Sequence, residues 1–214
     1  MIGVFGGMFD PVHCGHLRAM VELRDHLVLT ELRVVPCANP VHRRNAAASP
    51  DARVAMLTAA LRDMRACVVD DREIRRGGPS YTVDTLLELR RELASGPLCL
   101  LVGHDAFSRL STWHRWRDIF DLAHVVVARR PGASEDALER ELHAATVGRF
   151  VQDAMALHAR RAGLVFMSDT TELAISSTAL RADAAAGRSL QWLVPPAVAE
   201  LIDTNHWYSG GTDG

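Results

Sequence analysis

Lysine is missing from this chain altogether, and the 24 basic residues among its 214 are all arginine. That absence excludes a Walker-type phosphate loop, which needs Gly-Lys-Ser/Thr, and Schiff-base catalysis through a lysine amine. A dominant charge is missing as well. With Lys+Arg 24 against Asp+Glu 26, the chain has neither the basic footprint of a non-specific nucleic-acid binder nor an acidic tail. Cys14, Cys37, Cys67 and Cys99 are widely spaced without a Cys-x-x-Cys pair, so reduced thiols are expected. No apolar run approaches the ~20 residues needed to cross a bilayer, and no basic leader followed by a long apolar stretch is present. These absences give the expectation of a soluble cytoplasmic protein with no nucleic-acid or membrane partner.

What is present is an alternation. Short apolar runs at Ile2–Phe5, Leu32–Val35, Cys67–Val69, Leu98–Val102, Val125–Ala128 and Leu164–Met167 are separated by longer segments of helical period. That order reads as an α/β fold with a mainly parallel sheet. Leu17, Met20, Val21, Leu27 and Val28 have the spacing of one apolar helical face. Ser49-Pro50-Asp51 is a helix start with proline at the first position, and Tyr81 to Leu93 forms another helix with Val83, Leu86, Leu87 and Leu93 inward. A charge-laced helix is expected from Ser134 toward His143, within an outer region from Gly132 to Ala162. Pro195-Pro196 precedes a last short helix through Ile202. The whole of 1–214 suits a single domain, with a C-terminal helical part at about 176–208 and a mobile tail at 209–214.

The most informative segment is Gly6-Gly7-Met8-Phe9-Asp10-Pro11-Val12-His13-Cys14-Gly15-His16, which leaves a strand and enters a helix. A helix N-terminus offers unpaired N–H groups and partial positive charge, and imidazoles there add directed donors, so the pattern points to a phosphate-bearing ligand. Glycines let backbone and ligand approach closely. Simple capping of the helix by the two histidines is the plain alternative. A helical zinc pair normally has i, i+4 spacing with an acidic partner, which this stretch lacks, so no protein-held metal is expected.

Gly6 to His16 resembles the Gly-x-Phe-Asp-Pro-x-His-x-Gly-His loop of nicotinate mononucleotide adenylyltransferases, within the nucleotidyltransferase superfamily. Four further segments agree in order. Asn39-Pro40-Val41-His42-Arg43 is similar to the family's Pro-Pro-His-Lys loop, with Val41 and Arg43 replacing proline and lysine. Gly78-Pro79-Ser80-Tyr81-Thr82 with Asp84-Thr85-Leu86 resembles its substrate loop. Gly103-His104-Asp105 with Trp113 and Trp116, and Ile175-Ser176-Ser177-Thr178 with Arg181, resemble its remaining signatures.

The resemblance implies a Rossmann-like nucleotidyltransferase fold and transfer of the adenylyl group of ATP to nicotinate mononucleotide, releasing pyrophosphate. It implies His13, His16 and Arg181 as catalytic. Gly6, Gly7, Met8, Phe9, Gly15, His42, Arg43, Gly103, Asp105, Ile175, Ser176, Ser177 and Thr178 would hold ATP. Asp10, Ser80, Tyr81, Thr82 and Trp113 would hold nicotinate mononucleotide, with Trp113 stacking on the pyridine ring. For Ser176 to Thr178, before a helix expected near Ala179, the plain alternative is an ordinary cap; for Trp113 it is core packing. Mg²⁺ is expected to arrive on the ATP phosphates. A homo-oligomer is compatible with the sequence. Nicotinamide mononucleotide as substrate, dual specificity, and a non-catalytic nucleotide-binding protein are the competing readings. Trp192, Trp207, Tyr208 and the other histidines read as packing or surface.

Overall fold

A computed structural model describes residues 1–39, 46–93, 95–129 and 139–209. Its first half runs β1 (Ile2–Gly7), α1 (Cys14–His26), β2 (Glu31–Pro36), α2 (Pro50–Leu61), β3 (Cys67–Val69), α3 (Arg72–Arg76), α4 (Thr82–Leu93) and β4 (Leu98–Gly103). The second half continues with α5 (His104–Phe107), α6 (Ile119–Leu122), β5 (His124–Arg129), α7 (Arg140–Thr146), β6 (Phe150–Val151), β7 (Val165–Asp169), α8 (Ser177–Ala185) and α9 (Pro196–Thr204).

The strands form one sheet in the order β3-β2-β1-β4-β5-β7-β6, and every pairing is parallel. The chain winds outward from β1 through β2 to β3, then returns to place β4 on the other side of β1. Strand order therefore reverses between β1 and β4, and loops leaving their carboxyl ends border a crevice where ligands collect in such sheets. All six expected strands are present; β6 was not foreseen.

Side-chain alternation divides the core between the two faces of the sheet. Leu98, Leu100 and Val102 of β4 pack with Leu86 and Leu89 of α4, Phe107 of α5 and Ile119 of α6. Cys99 and Leu101 point the other way, toward Met20 and Leu23 of α1, Met56 and Leu57 of α2, and Val198 and Ile202 of α9. Each such fully buried aliphatic side chain contributes about 1.5–3 kcal/mol of transfer free energy. Continuous apolar runs are what a parallel sheet covered on both faces requires.

Local chemistry explains the helix boundaries. Ser49 caps α2 by accepting from the Ala52 N–H at 3.2 Å, with Pro50 in its first turn. Pro196 similarly opens α9. Three expectations are corrected. Val28 lies beyond α1 at φ 50° and is exposed, while Leu23 supplies the buried contact. In α4, Leu89 is buried and Leu87 only partly so, because 3.6-residue periodicity brings 86 and 89 to one face. Helix α8 starts at Ser177, ahead of the expected Ala179, because Ser176 already caps it. The described part of the charge-laced helix begins at Arg140; residues 130–138 and the tail from 210 lie outside the described residues.

Arg90 is a structural bolt below the sheet. Its buried guanidinium donates to the carbonyls of Leu122 (2.5 Å), Gly96 (2.6 Å) and Arg161 (2.7 Å), and burial lowers its pKa to about 10. Among the described residues no helix is long and apolar enough to cross a membrane.

Candidate active site

The loop from Gly7 to His13 is shaped by packing. A Cβ at Gly7 would stand 2.8 Å from the Phe9 ring, so glycine lets that ring, at 1% exposure, turn back under the loop. Gly6 and Gly103, at the ends of β1 and β4, face open space: a Cβ at either would meet nothing within 4 Å. The crevice between the two strand ends thus has room for a ligand beside bare backbone.

His13 is the N-cap of α1, with extended backbone, and His16 lies one turn on. Their rings stack at 3.7 Å between centroids, the His13 N–H donates to His16 Nδ1 at 3.3 Å, and Phe9 meets the His16 ring edge-on at 5.2 Å. A Cβ at Gly15 would lie 3.1 Å from both Cε1 and Nδ1 of His13. This explains the spacing of His-x-Gly-His: the missing side chain lets the first imidazole fold over the helix end toward the second. His13 is buried, which lowers its pKa to about 4 and makes it a neutral imidazole at pH 7. Its Nδ1 has no hydrogen-bond partner among the described residues. One helix-end donor is already engaged, because the Cys14 N–H donates to the Leu193 carbonyl at 2.9 Å.

The segment Ile175 to Arg181 is brought directly against this loop. Ser176 Oγ accepts from the Ala179 N–H at 3.2 Å, capping α8, and Ser177 Oγ donates to the Pro11 carbonyl at 3.0 Å. Arg181 donates to the Asp10 carbonyl at 2.6 Å and to Thr178 Oγ1 at 3.3 Å. These two bonds use part of the five N–H donors of a guanidinium, which is roughly a third exposed. Ile175 is half-buried and packs against the core face shared by α1 and α2. Two motifs separated by most of the chain therefore form one rim.

On the other side of the crevice, Ser80 Oγ accepts from the N–H groups of Ala38 (2.8 Å) and Asn39 (3.3 Å), tying the loop after β2 to the start of α4. Tyr81 packs its ring against that of His114 at 4.3 Å, a partner the sequence did not single out. Thr82 begins α4, and the neighbouring Trp113 is half-buried. Trp116 is core, edge-on to Phe120 with Arg117 over its face. Asp105 is exposed just beyond β4 in α5. His42 and Arg43 lie outside the described residues.

Two expected ligand contacts are arranged differently. The Phe9 ring belongs to the core, leaving only its backbone toward the loop surface. Asp10 is 3% exposed, and its carboxylate accepts from the N–H groups of Ala47 (2.7 Å) and Ala48 (3.1 Å) and from the Tyr208 hydroxyl (2.7 Å). Its side chain is committed to the protein, since a buried carboxylate needs such donors. Tyr208, read from the sequence as packing or surface, holds Asp10, and fully buried Arg53, which the sequence did not single out, donates to the Met8 carbonyl at 2.9 Å. No local signal marks either, because both contacts span distant parts of the sequence.

The donors gathered around the crevice are imidazoles, hydroxyls, backbone amides and a guanidinium, a set suited to phosphate oxygens. Among the described residues no group of three or more His, Cys, Asp or Glu side chains could hold a metal ion. None of the four cysteines forms a disulfide.

The chain is similar to known proteins along most of its length. The model of the cytidylyltransferase-like family matches residues 4–183. A protein of Methylococcus capsulatus named "Probable nicotinate-nucleotide adenylyltransferase" is 47% identical over 210 residues, covering 98% of this chain and all of that protein (100%). One of the same name from Pseudomonas aeruginosa is 45% identical, covering 97% and 96% of the two chains. The solved structure of Plasmodium falciparum nicotinic acid mononucleotide adenylyltransferase complexed with NaAD shares the fold, with a TM-score of 0.68 at 14% identity over 97% of this chain and 96% of that one.

Proposed function

We propose that this chain, which belongs to the cytidylyltransferase-like family and within it to the nicotinate-nucleotide adenylyltransferases, transfers the adenylyl group of ATP to nicotinate mononucleotide. The products are nicotinate adenine dinucleotide and pyrophosphate. The observation that carries the reading is the single rim formed by the stacked His13 and His16 and the Ser176-to-Arg181 segment.

The reaction is an in-line displacement. A phosphate oxygen of nicotinate mononucleotide attacks the α-phosphorus of ATP, the new P–O bond forms as the bond to the β-phosphate oxygen breaks, and pyrophosphate leaves with that electron pair. Little covalent help is needed, so positioning and charge stabilisation supply the rate enhancement. His16 stands one helical turn into α1, steadied by the His13 amide and the Phe9 ring edge, where it donates to the oxygens around the α-phosphorus. Neutral His13 adds a directed donor, and the approach of a polyanion favours its protonation. The first turn of α8 and the remaining N–H groups of Arg181 receive the departing β- and γ-phosphates. Mg²⁺ enters with the triphosphate as part of the substrate.

Gly103 and Asp105 fit the ribose side of ATP, with Asp105 accepting from a hydroxyl. Tyr81, Thr82 and Trp113 fit the pyridine end of the second substrate, where Trp113 offers a ring face for stacking. Ser80 fixes the loop through its hydroxyl oxygen, which accepts from Ala38 and Asn39, and its O–H donates to the substrate. The family resemblance assigns His42 and Arg43 to the phosphates as well. The relatives' names favour the carboxylate substrate over the amide.

The test is His16→Ala. Its far-UV spectrum should match the parent while turnover falls by about 10²–10⁴-fold, the usual span for losing a positioned donor. Near-parental turnover would refute the role given to His16.

A further inference from the structure

Asp10 is where four parts of the chain meet. Its Oδ1 is shared by the Ala48 N–H and the Tyr208 hydroxyl, while Oδ2 takes the Ala47 N–H and lies 3.7 Å from Nη1 of Arg181. That same Nη1 makes its short bond, 2.6 Å, to the Asp10 carbonyl. The guanidinium therefore has two acceptors on one residue, and the carbonyl holds it while the carboxylate is satisfied elsewhere.

Tyr208 is well placed to keep that balance. Its neighbour Trp207 packs against the core, and α9 before it carries Val198 and Ile202 into the core beside α1 and α2. Tyr208 has φ 66°, a backbone region bulky residues seldom occupy, so the ring is set by its packing and its bond to Asp10. Without the phenol, Oδ1 would keep one amide donor, and the carboxylate would turn toward Arg181, the cation already beside it.

We propose that Tyr208 is a positioning residue for adenylyl transfer: its phenol, by donating to Asp10, holds the carboxylate off Arg181 and keeps that guanidinium aimed at the phosphates. The inference rests on the function proposed above. It gives the C-terminal segment a part in the site, acting through Arg181 rather than by touching substrate. Arg53, gripping the Met8 carbonyl from below, holds the other end of the same loop.

Tyr208→Phe removes the hydroxyl and keeps the ring. Because Arg181 acts on charge that develops during transfer, kcat should fall by about tenfold or more while KM for nicotinate mononucleotide stays within about twofold. The melting temperature should stay within about 2 °C of the parent. In an Arg181→Ala background the same substitution should add nothing, since its effect passes through the missing guanidinium. Unchanged kcat, an equal loss in both backgrounds, or a loss that merely follows a drop in melting temperature would overturn the proposal. The parent enzyme, assayed alongside, separates the two readings. If the parent does not turn over, the proposed function fails, and the NMR resonance of the Arg181 side chain decides this inference instead. A shift of that resonance in Tyr208→Phe supports it, and an unmoved one overturns it.

Discussion

Replacing Gly15 by alanine should change the stability little and make the protein much less active. The added Cβ would sit 3.1 Å from two atoms of the His13 ring, against an ordinary contact of about 3.5–4.0 Å. The Leu173 carbonyl, 3.5 Å away, is already at normal contact. The strain therefore falls on the imidazole, which must yield by about half an ångström and lose its register with His16. Gly15 lies in the first turn of α1, where alanine gains less than the roughly 1 kcal/mol of helix propensity it gains in an interior, so the gain offsets part of the strain and the melting temperature should move by no more than about 2–4 °C. A displacement approaching 1 Å at a reacting group costs about 10²-fold, so a half-ångström shift should cost about tenfold or more, near 1.4 kcal/mol of transition-state stabilisation. Pyrophosphate release under saturating Mg-ATP and nicotinate mononucleotide, paired with a thermal melt, reads both quantities. Full activity with a raised or equal melting temperature would refute the argument that Gly15 exists to seat His13.

Two further outcomes follow from other buried groups. Arg90→Met should cost about 3 kcal/mol or more, because three carbonyls lose their charged donor, and urea unfolding should show it; a loss below about 1 kcal/mol would contradict the bolt role. Acid should also destabilise the fold through its neutral histidines. His13, lowered from 6.5 to about 4, binds its proton more readily when unfolded, so its contribution is present above pH 6.5 and is withdrawn as the pH falls to about 4, by about 3 kcal/mol. His124 shifts in the same direction because it is buried, with Nδ1 accepting from the Leu164 N–H and Nε2 bonded to the Arg160 carbonyl. Urea melts at pH 7, 6 and 5 should lose stability in that order, and a flat or rising trend would contradict the burial argument.

Much of the fold was legible because parallel strands covered on both faces must be continuous apolar runs, and six such runs stand out. Strand β6 escaped because it has two residues, Phe150 exposed, and draws its identity from pairing with β7. That the glycine-rich loop leaves a strand and enters a helix was legible as well. The roles of its buried supports were not. An aspartate in a loop between glycines and histidines reads as a ligand contact, and only its burial and three donors reveal Asp10 as a joint. An arginine on a helix reads as solvated surface, yet Arg53 is fully enclosed under Met8. Tyr208 reads as tail packing because its partner lies near the opposite end of the chain. These contacts arise from tertiary packing, to which local periodicity is blind.

The most direct measurement is pyrophosphate release by the purified protein with Mg-ATP and, at equal concentrations, nicotinate mononucleotide, nicotinamide mononucleotide or phosphopantetheine. Strong preference for nicotinate mononucleotide, with one nicotinate adenine dinucleotide formed per pyrophosphate, is the predicted result. Turnover with none of the three, or a preference for either of the others, would contradict it.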